Sequence, residues 1–185
     1  MTSLLGASAL VLIAGAAFAG GKNLQYYSKD LSSDEIKDQM KVLKASLGVD
    51  CGHCHQMQPR KNWAADTDTK KFTRTMLVMT DKINKDCFNK DFLGIKPEDV
   101  KTGTCFMCHK GKEKPEYKPT NPDDNKKFEA LAKDDKNKTI TASMKKLVDK
   151  LNKDFFTWKD APKATCWMCH RGAGEFELKA PDSGD

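Results

Sequence analysis

Three runs of one pattern carry the chemistry of this chain: Cys51-Gly-His-Cys54-His55, Cys105-Phe-Met-Cys108-His109 and Cys166-Trp-Met-Cys169-His170. Cys-x-x-Cys-His is the attachment signal of a c-type haem. The two thiols add to the porphyrin vinyl groups as thioethers, and the adjacent imidazole then stands beside the iron as an axial ligand. Cys51, Cys54, Cys105, Cys108, Cys166 and Cys169 therefore read as attachment residues for three covalently bound haem c groups, with His55, His109 and His170 as proximal iron ligands.

Each run needs an element in front of it to offer the second axial ligand. Residues 139–172 show the unit whole: Ile140, Met144, Leu147, Val148, Leu151 and Phe155 recur at helical spacing, a short polar loop follows, and the third run comes next. Upstream, Ser32-Ser33-Asp34-Glu35 has the spacing of a capping box. The helix it opens carries Ile36, Met40, Leu43 and Leu47 to a stop at Gly48. A second helix from about Thr67 aligns Phe72, Met76, Met79 and Ile83, and its loop to the second run contains Gly94, Pro97 and Gly103.

The second and third helices overlay without a gap, residues 73–86 on 141–154. The offset is 68 at the methionines and 61 at the cysteines, so the second loop holds seven extra residues. Such self-similarity marks a repeated structural unit. Met76 falls on Met144, whereas Met79 falls on Leu147, which cannot bind iron; Met40 followed by Leu43 repeats the pattern. Met40, Met76 and Met144 are thus the expected distal ligands, 11, 29 and 22 residues before the first cysteine of their runs.

The supply of histidine points the same way. Of four histidines three are proximal, which leaves only His53 and excludes bis-histidine ligation throughout. His/Met pairing raises the reduction potential. Methionine on an apolar helix face is ordinarily core filler; recurrence in register beside three haem runs outweighs that reading here. Met57 reads as surface or packing, Met107 and Met168 as spacers within the haem loops, and His53 as facing solvent or a propionate. Phe106 and Trp167, at corresponding positions, read as covers for ring edges. The seventh cysteine, Cys87, falls opposite Phe155 and reads as a buried thiol.

The order along the chain is a signal peptide (1–19), a leader (20–31), the first haem unit (32–61), the second (62–112), a polar linker (113–138), the third (139–174) and a tail (175–185). The apolar N-terminal run ends in Ala17-Phe18-Ala19, as a cleavable secretory signal does, and implies a periplasmic or extracellular protein. No Lys or Arg precedes that run, so an uncleaved N-terminal membrane anchor is the alternative. Within the linker, the Lys-Pro and Asn-Pro pairs mark loop, and residues 125–133 a short polar helix. The net charge of +6 is spread among aspartates and would be offset by haem propionates, which suits acidic redox partners and not nucleic acid.

The stretch from Cys51, with Asn62-Trp63, Asp66, Met76-Leu-x-Met79-Thr-x-x-Ile83-Asn84 and Thr104-Cys-x-x-Cys-His109, resembles the tetrahaem cytochrome subunit of bacterial photosynthetic reaction centres and its broader relatives. The likeness covers about residues 36–112 and is weaker over the third unit. It implies units of helix, turn and haem motif, distal methionines at Met40, Met76 and Met144, and a protein that passes electrons without transforming a substrate. The sequence has no fourth Cys-x-x-Cys-His and no histidine after the second helix, where that family places the distal ligand of its remaining haem.

The expected fold is mainly α: three helix, loop and Cys-x-x-Cys-His units with long irregular connectors. The expected function is single-electron transfer between redox protein partners, a membrane-bound complex among them; nothing in the sequence sets an oligomeric state. Two alternatives are a multihaem reductase or peroxidase with one open haem, most readily in the second unit, and a subunit of a polymeric or membrane-complex conduit. With 31% charged residues the chain is too polar to build a large core from side chains alone, so the rings are expected to complete it. Replacing all six attachment cysteines by alanine should therefore abolish most of the helical circular dichroism; a variant that keeps the full helical signal would contradict this.

Overall fold

Ser32 starts the first helix by closing two hydrogen-bonded loops at once. Its hydroxyl accepts from the Glu35 N–H at 3.3 Å, and the Glu35 carboxylate accepts from the Ser32 N–H at 2.7 Å, the reciprocal box that the sequence spells out. Helix α1 (Ser33–Leu47) ends at Gly48, which adopts a left-handed φ of 63°. In this computed structural model, residues 23–121, 123–173, 175 and 177–179 are described. The expected signal peptide lies outside them.

The remaining helices are α2 (Cys51–Cys54), α3 (Asp68–Asp86), α4 (Lys90–Leu93), α5 (Cys105–His109), α6 (Asp123–Lys133), α7 (Lys138–Lys150) and α8 (Cys166–His170). A π turn over Leu151–Phe155 prolongs α7. No strand occurs among the described residues, and the chain is mainly helical. Thr67 caps α3 where the sequence places its start, with its hydroxyl accepting from the Lys70 N–H. α6 begins two residues ahead of the expected polar helix and packs on α7. The leader is more than an extended strand of chain: Asn23 donates to Ala64 O, Gln25 accepts from Arg74, and the Tyr26 hydroxyl donates to Asp81, which ties it to α3 and the loop before it.

The three short helices that carry the Cys-x-x-Cys-His runs begin alike. The side-chain oxygens of Asp50, Thr104 and Thr165 accept the N–H of His53, Met107 and Met168, at 3.1, 3.3 and 3.3 Å. Behind the two later caps, an asparagine grips the preceding residue by both backbone groups. Asn84 Oδ1 accepts from Gly103 N at 2.7 Å while its Nδ2 donates to Gly103 O at 3.0 Å. Asn152 does the same to Ala164, at 2.7 and 3.1 Å. These asparagines correspond in the repeat, and they fix where each short helix starts relative to its long one.

The core consists of Cys87, Phe88, Leu93, Met107, Leu147, Leu151, Ala164 and Met168. It belongs to the second and third units. Met107 and Met168 are 6% and 1% exposed, so they are core anchors and not the spacers expected from sequence. The reason is helical geometry: cysteines three apart share a face, and the residue two after the first points away from it. In the first run that position is His53, a polar residue absent from the core. Cys87 is fully buried, as the repeat indicated, and burial pushes its thiol pKa up. Because Ala164 is itself buried, Asn152→Ala should leave both its backbone groups unpaired and cost about 2–3 kcal/mol, read from a denaturant midpoint at unchanged slope. Asn152→Asp, which retains the acceptor alone, should fall between the two.

Candidate haem-attachment sites

At the first run, Cys54 Sγ lies 3.8 Å from Thr73 Oγ1 on α3, and the Thr67 hydroxyl donates to Cys54 O at 2.6 Å. The His55 ring stands edge-on to Trp63, centroids 5.1 Å apart. Burial, and then the charge of Lys70, holds His55 below its ordinary pKa. At the second run, burial raises the Cys105 thiol pKa, a shift that Thr80, further along α3, slightly opposes. His109 Nδ1 lies 3.0 Å from Lys112 O. A carbonyl only accepts, so Nδ1 carries the proton and Nε2 keeps its lone pair for a metal, the usual way a ligand imidazole is oriented. Burial lowers the His109 pKa, which favours the neutral, ligating form. At the third run, Cys169 Sγ lies 3.4 Å from Cys108 Sγ, bringing α8 against α5.

The three candidate distal ligands sit on the long helices, one each: Met40 on α1, Met76 on α3 and Met144 on α7. All are half-buried, whereas Leu147, one turn beyond Met144, is in the core. Leu43 and Met79, at the same position of the other two units, are half-buried like the methionines themselves. α3 is 19 residues long and amphipathic, yet none of its residues is fully buried. Among the described residues its apolar stripe is covered only in part: Met76, Met79 and Ile83 are half-buried, and Phe72 is exposed. Thr73 approaches the first run and Thr80 the second, so Met76 lies between them on the same face.

Whether these surroundings suit haem can be tested on their unpaired donors. Arg74 Nη2, Trp167 Nε1 and Arg171 Nε are buried, and no hydrogen-bond acceptor reaches them among the described residues. A buried donor without an acceptor is costly. Anionic carboxylates such as haem propionates would satisfy all three. Trp167 and Arg171 also line an open cleft of about 560 Å³ with Lys110, Lys112, Glu116 and Glu177. The donors, the thiols and the imidazoles together fit the prosthetic group.

Sequence reasoning did not find Lys110, Glu116, Arg171 or Glu177. Lys110 pairs with Glu177 at 3.3 Å, and Arg171 pairs with Glu116. The signal was present: the offset of 61 at the haem cysteines continues past them and relates Lys110 to Arg171 and Glu116 to Glu177.

A family profile described as photosynthetic reaction centre cytochrome C subunit matches residues 16–143. No curated protein and no solved structure matches the chain.

Asp66 gives this region a pH dependence. Arg74 Nη1 donates to its carboxylate at 2.5 Å and holds its pKa below the ordinary value. A lowered folded pKa adds stability above the unfolded value, and that stability disappears as pH falls through the folded one. Asp66→Asn should thus be less stable at neutral pH and lose less on acidification, as followed by thermal melts from neutrality down through the carboxylate range. Parallel curves for the two proteins would show that the pair contributes nothing.

Proposed function

The chain belongs to the photosynthetic reaction centre cytochrome c subunit family, multihaem c-type cytochromes of electron transfer, and from that premise we propose that it is an exported three-haem carrier passing single electrons between redox proteins. Cys51 and Cys54, Cys105 and Cys108, and Cys166 and Cys169 hold the haems. His55, His109 and His170 are the proximal ligands, and Met40, Met76 and Met144 the distal ones. When bound, the haem supplies reversible one-electron chemistry at iron.

The observation that carries this reading is the recurrence of one local arrangement. Each short helix has a side-chain cap at its start and presents two thiols and an imidazole, and each unit has a long helix with one half-buried methionine in register. The chain's own residues then set the properties of the site. Thioether sulfur from methionine favours the reduced state. Arg74, Arg171 and Trp167 hold buried N–H groups without acceptors, which carboxylates such as propionates would satisfy. Six axial ligands for three irons leave no coordination position for a substrate, which separates this reading from a reductase or peroxidase. Export follows from the apolar N-terminal run and from attachment chemistry that takes place after translocation in bacteria. No helix among the described residues is long and apolar enough to cross a membrane.

The intact mass of the mature protein should exceed that of the chain by three haems. The oxidised protein should show the methionine-sulfur-to-ferric-iron band in near-infrared magnetic circular dichroism. Met40→Ala, Met76→Ala and Met144→Ala should each remove about a third of that band and lower one potential. A high-spin signal in the unsubstituted protein, with tight cyanide binding, would instead mean an open iron and an enzyme.

A further inference from the structure

After each of the two later runs the chain crosses to the other unit, and both crossings have the same form. Eight residues beyond His109, the Tyr117 carbonyl accepts the Thr165 hydroxyl at 2.5 Å. Eight residues beyond His170, the Leu178 carbonyl accepts the Thr104 hydroxyl at 2.5 Å. Thr104 and Thr165 are the caps of α5 and α8, so each unit's outgoing arm steadies the start of the other unit's haem helix. The ion pairs repeat the exchange: Lys110 of one unit meets Glu177 of the other, and Arg171 meets Glu116.

All these residues stand 61 positions from their counterparts. If i touches j, the counterpart of i touches the counterpart of j, which is the signature of a twofold relation. On such an axis a residue meets its own counterpart. Here that residue is Cys108, whose Sγ lies 3.4 Å from Cys169 Sγ. The locking side chains are well placed to hold the contact. Lys110 and Arg171 are only 11% and 17% exposed. Arg171 also reaches the Cys108 carbonyl at 3.5 Å, and Lys110 the Glu177 carbonyl at 3.2 Å. Cys54, the equivalent sulfur of the first run, meets a helix instead, at Thr73.

We propose that Lys110, Glu116, Arg171 and Glu177 are positioning residues that hold Cys108 against Cys169, so that the second and third haems form one coupled pair while the first stands apart. This rests on the three-haem reading above. Both sulfurs are the second thioether of their runs, and at 3.4 Å they are in van der Waals contact. Porphyrin edges bonded to these two sulfurs would be joined through that contact, since no residue lies between the sulfurs. Charge added on one side of such a contact opposes charge on the other, because little solvent separates the two.

The test uses the intact holoprotein, reduced stepwise and followed haem by haem through its paramagnetically shifted NMR resonances and its low-spin EPR signals. Two haems should each make reduction of the other at least tenfold less favourable, a 59 mV displacement for a one-electron couple. Their EPR signals should be broadened in the oxidised protein and sharpen when either partner is reduced. The haem of the first run should follow a simple one-electron curve. In Glu116→Gln/Glu177→Gln, loaded with three haems and retaining its methionine-sulfur band, the mutual displacement should fall by more than half, and Glu116→Asp/Glu177→Asp should restore part of it. Three loaded haems titrating independently in the unsubstituted protein would overturn the pairing and leave the electron-transfer reading intact. Fewer than three haems by mass would overturn that reading, and the pairing with it.

Discussion

Two sulfurs 3.4 Å apart require that the helices bearing them lie against each other, and that constraint organises the second half of the molecule. α5 and α8 are five residues each, too short to be stable alone. They persist because each is capped by a threonine at its start, anchored by a buried methionine, and gripped through the preceding residue by an asparagine from its own long helix. Exchange of the outgoing arms then makes the two starts mutually dependent. Loosening either arm frees the hydroxyl that caps the other unit's helix, so the two units should behave as one cooperative block.

The first unit is joined differently. It places no residue in the core, and its short helix α2 packs against α3 of the second unit. α1 in turn packs on α5, where the Gly111 N–H donates to Ser46 O at 3.0 Å. Gly48 closes that approach. A Cβ there would stand 1.9 Å from the Gly111 carbonyl oxygen, on a residue already in a left-handed conformation. The long helix of each unit thus packs on the short helix of the other. Both exchanges, of helices on one side and of arms on the other, involve the second unit.

Local signals in the sequence proved legible. The capping box at Ser32, the stop at Gly48, the cap at Thr67 and the burial of Cys87 all depend on a few neighbouring residues or on one repeated helix. Expectations went astray where the answer depends on distant chain. Met107 and Met168 resembled spacers because nothing near them in sequence reveals that the opposite face of their helices meets another unit. Nothing in the sequence marked a role for Glu177 and Leu178, which form no periodic pattern; their role lies in contacts 67 and 74 residues away. The matching of Asn84 with Asn152 was visible, but a correspondence of letters does not disclose a bidentate grip on the backbone.

The arrangement also bears on how a chain so polar keeps three sites in register. Hydrophobic burial is concentrated in one cluster of eight residues, and the helix that spans two sites, α3, buries none of its own residues fully. Packing alone therefore cannot set the position of Met76 or the separation of the first and second runs. Directional contacts do so: Thr73 to Cys54 of the first run, Asn84 to Gly103 ahead of the second, and Arg74 to Asp66. Hydrogen bonds of this kind contribute little net stability each, but their geometry is strict. A chain that spaces its elements this way can carry a variable polar surface and loops of different length, seven residues longer in the second unit than in the third, without moving the residues those bonds hold.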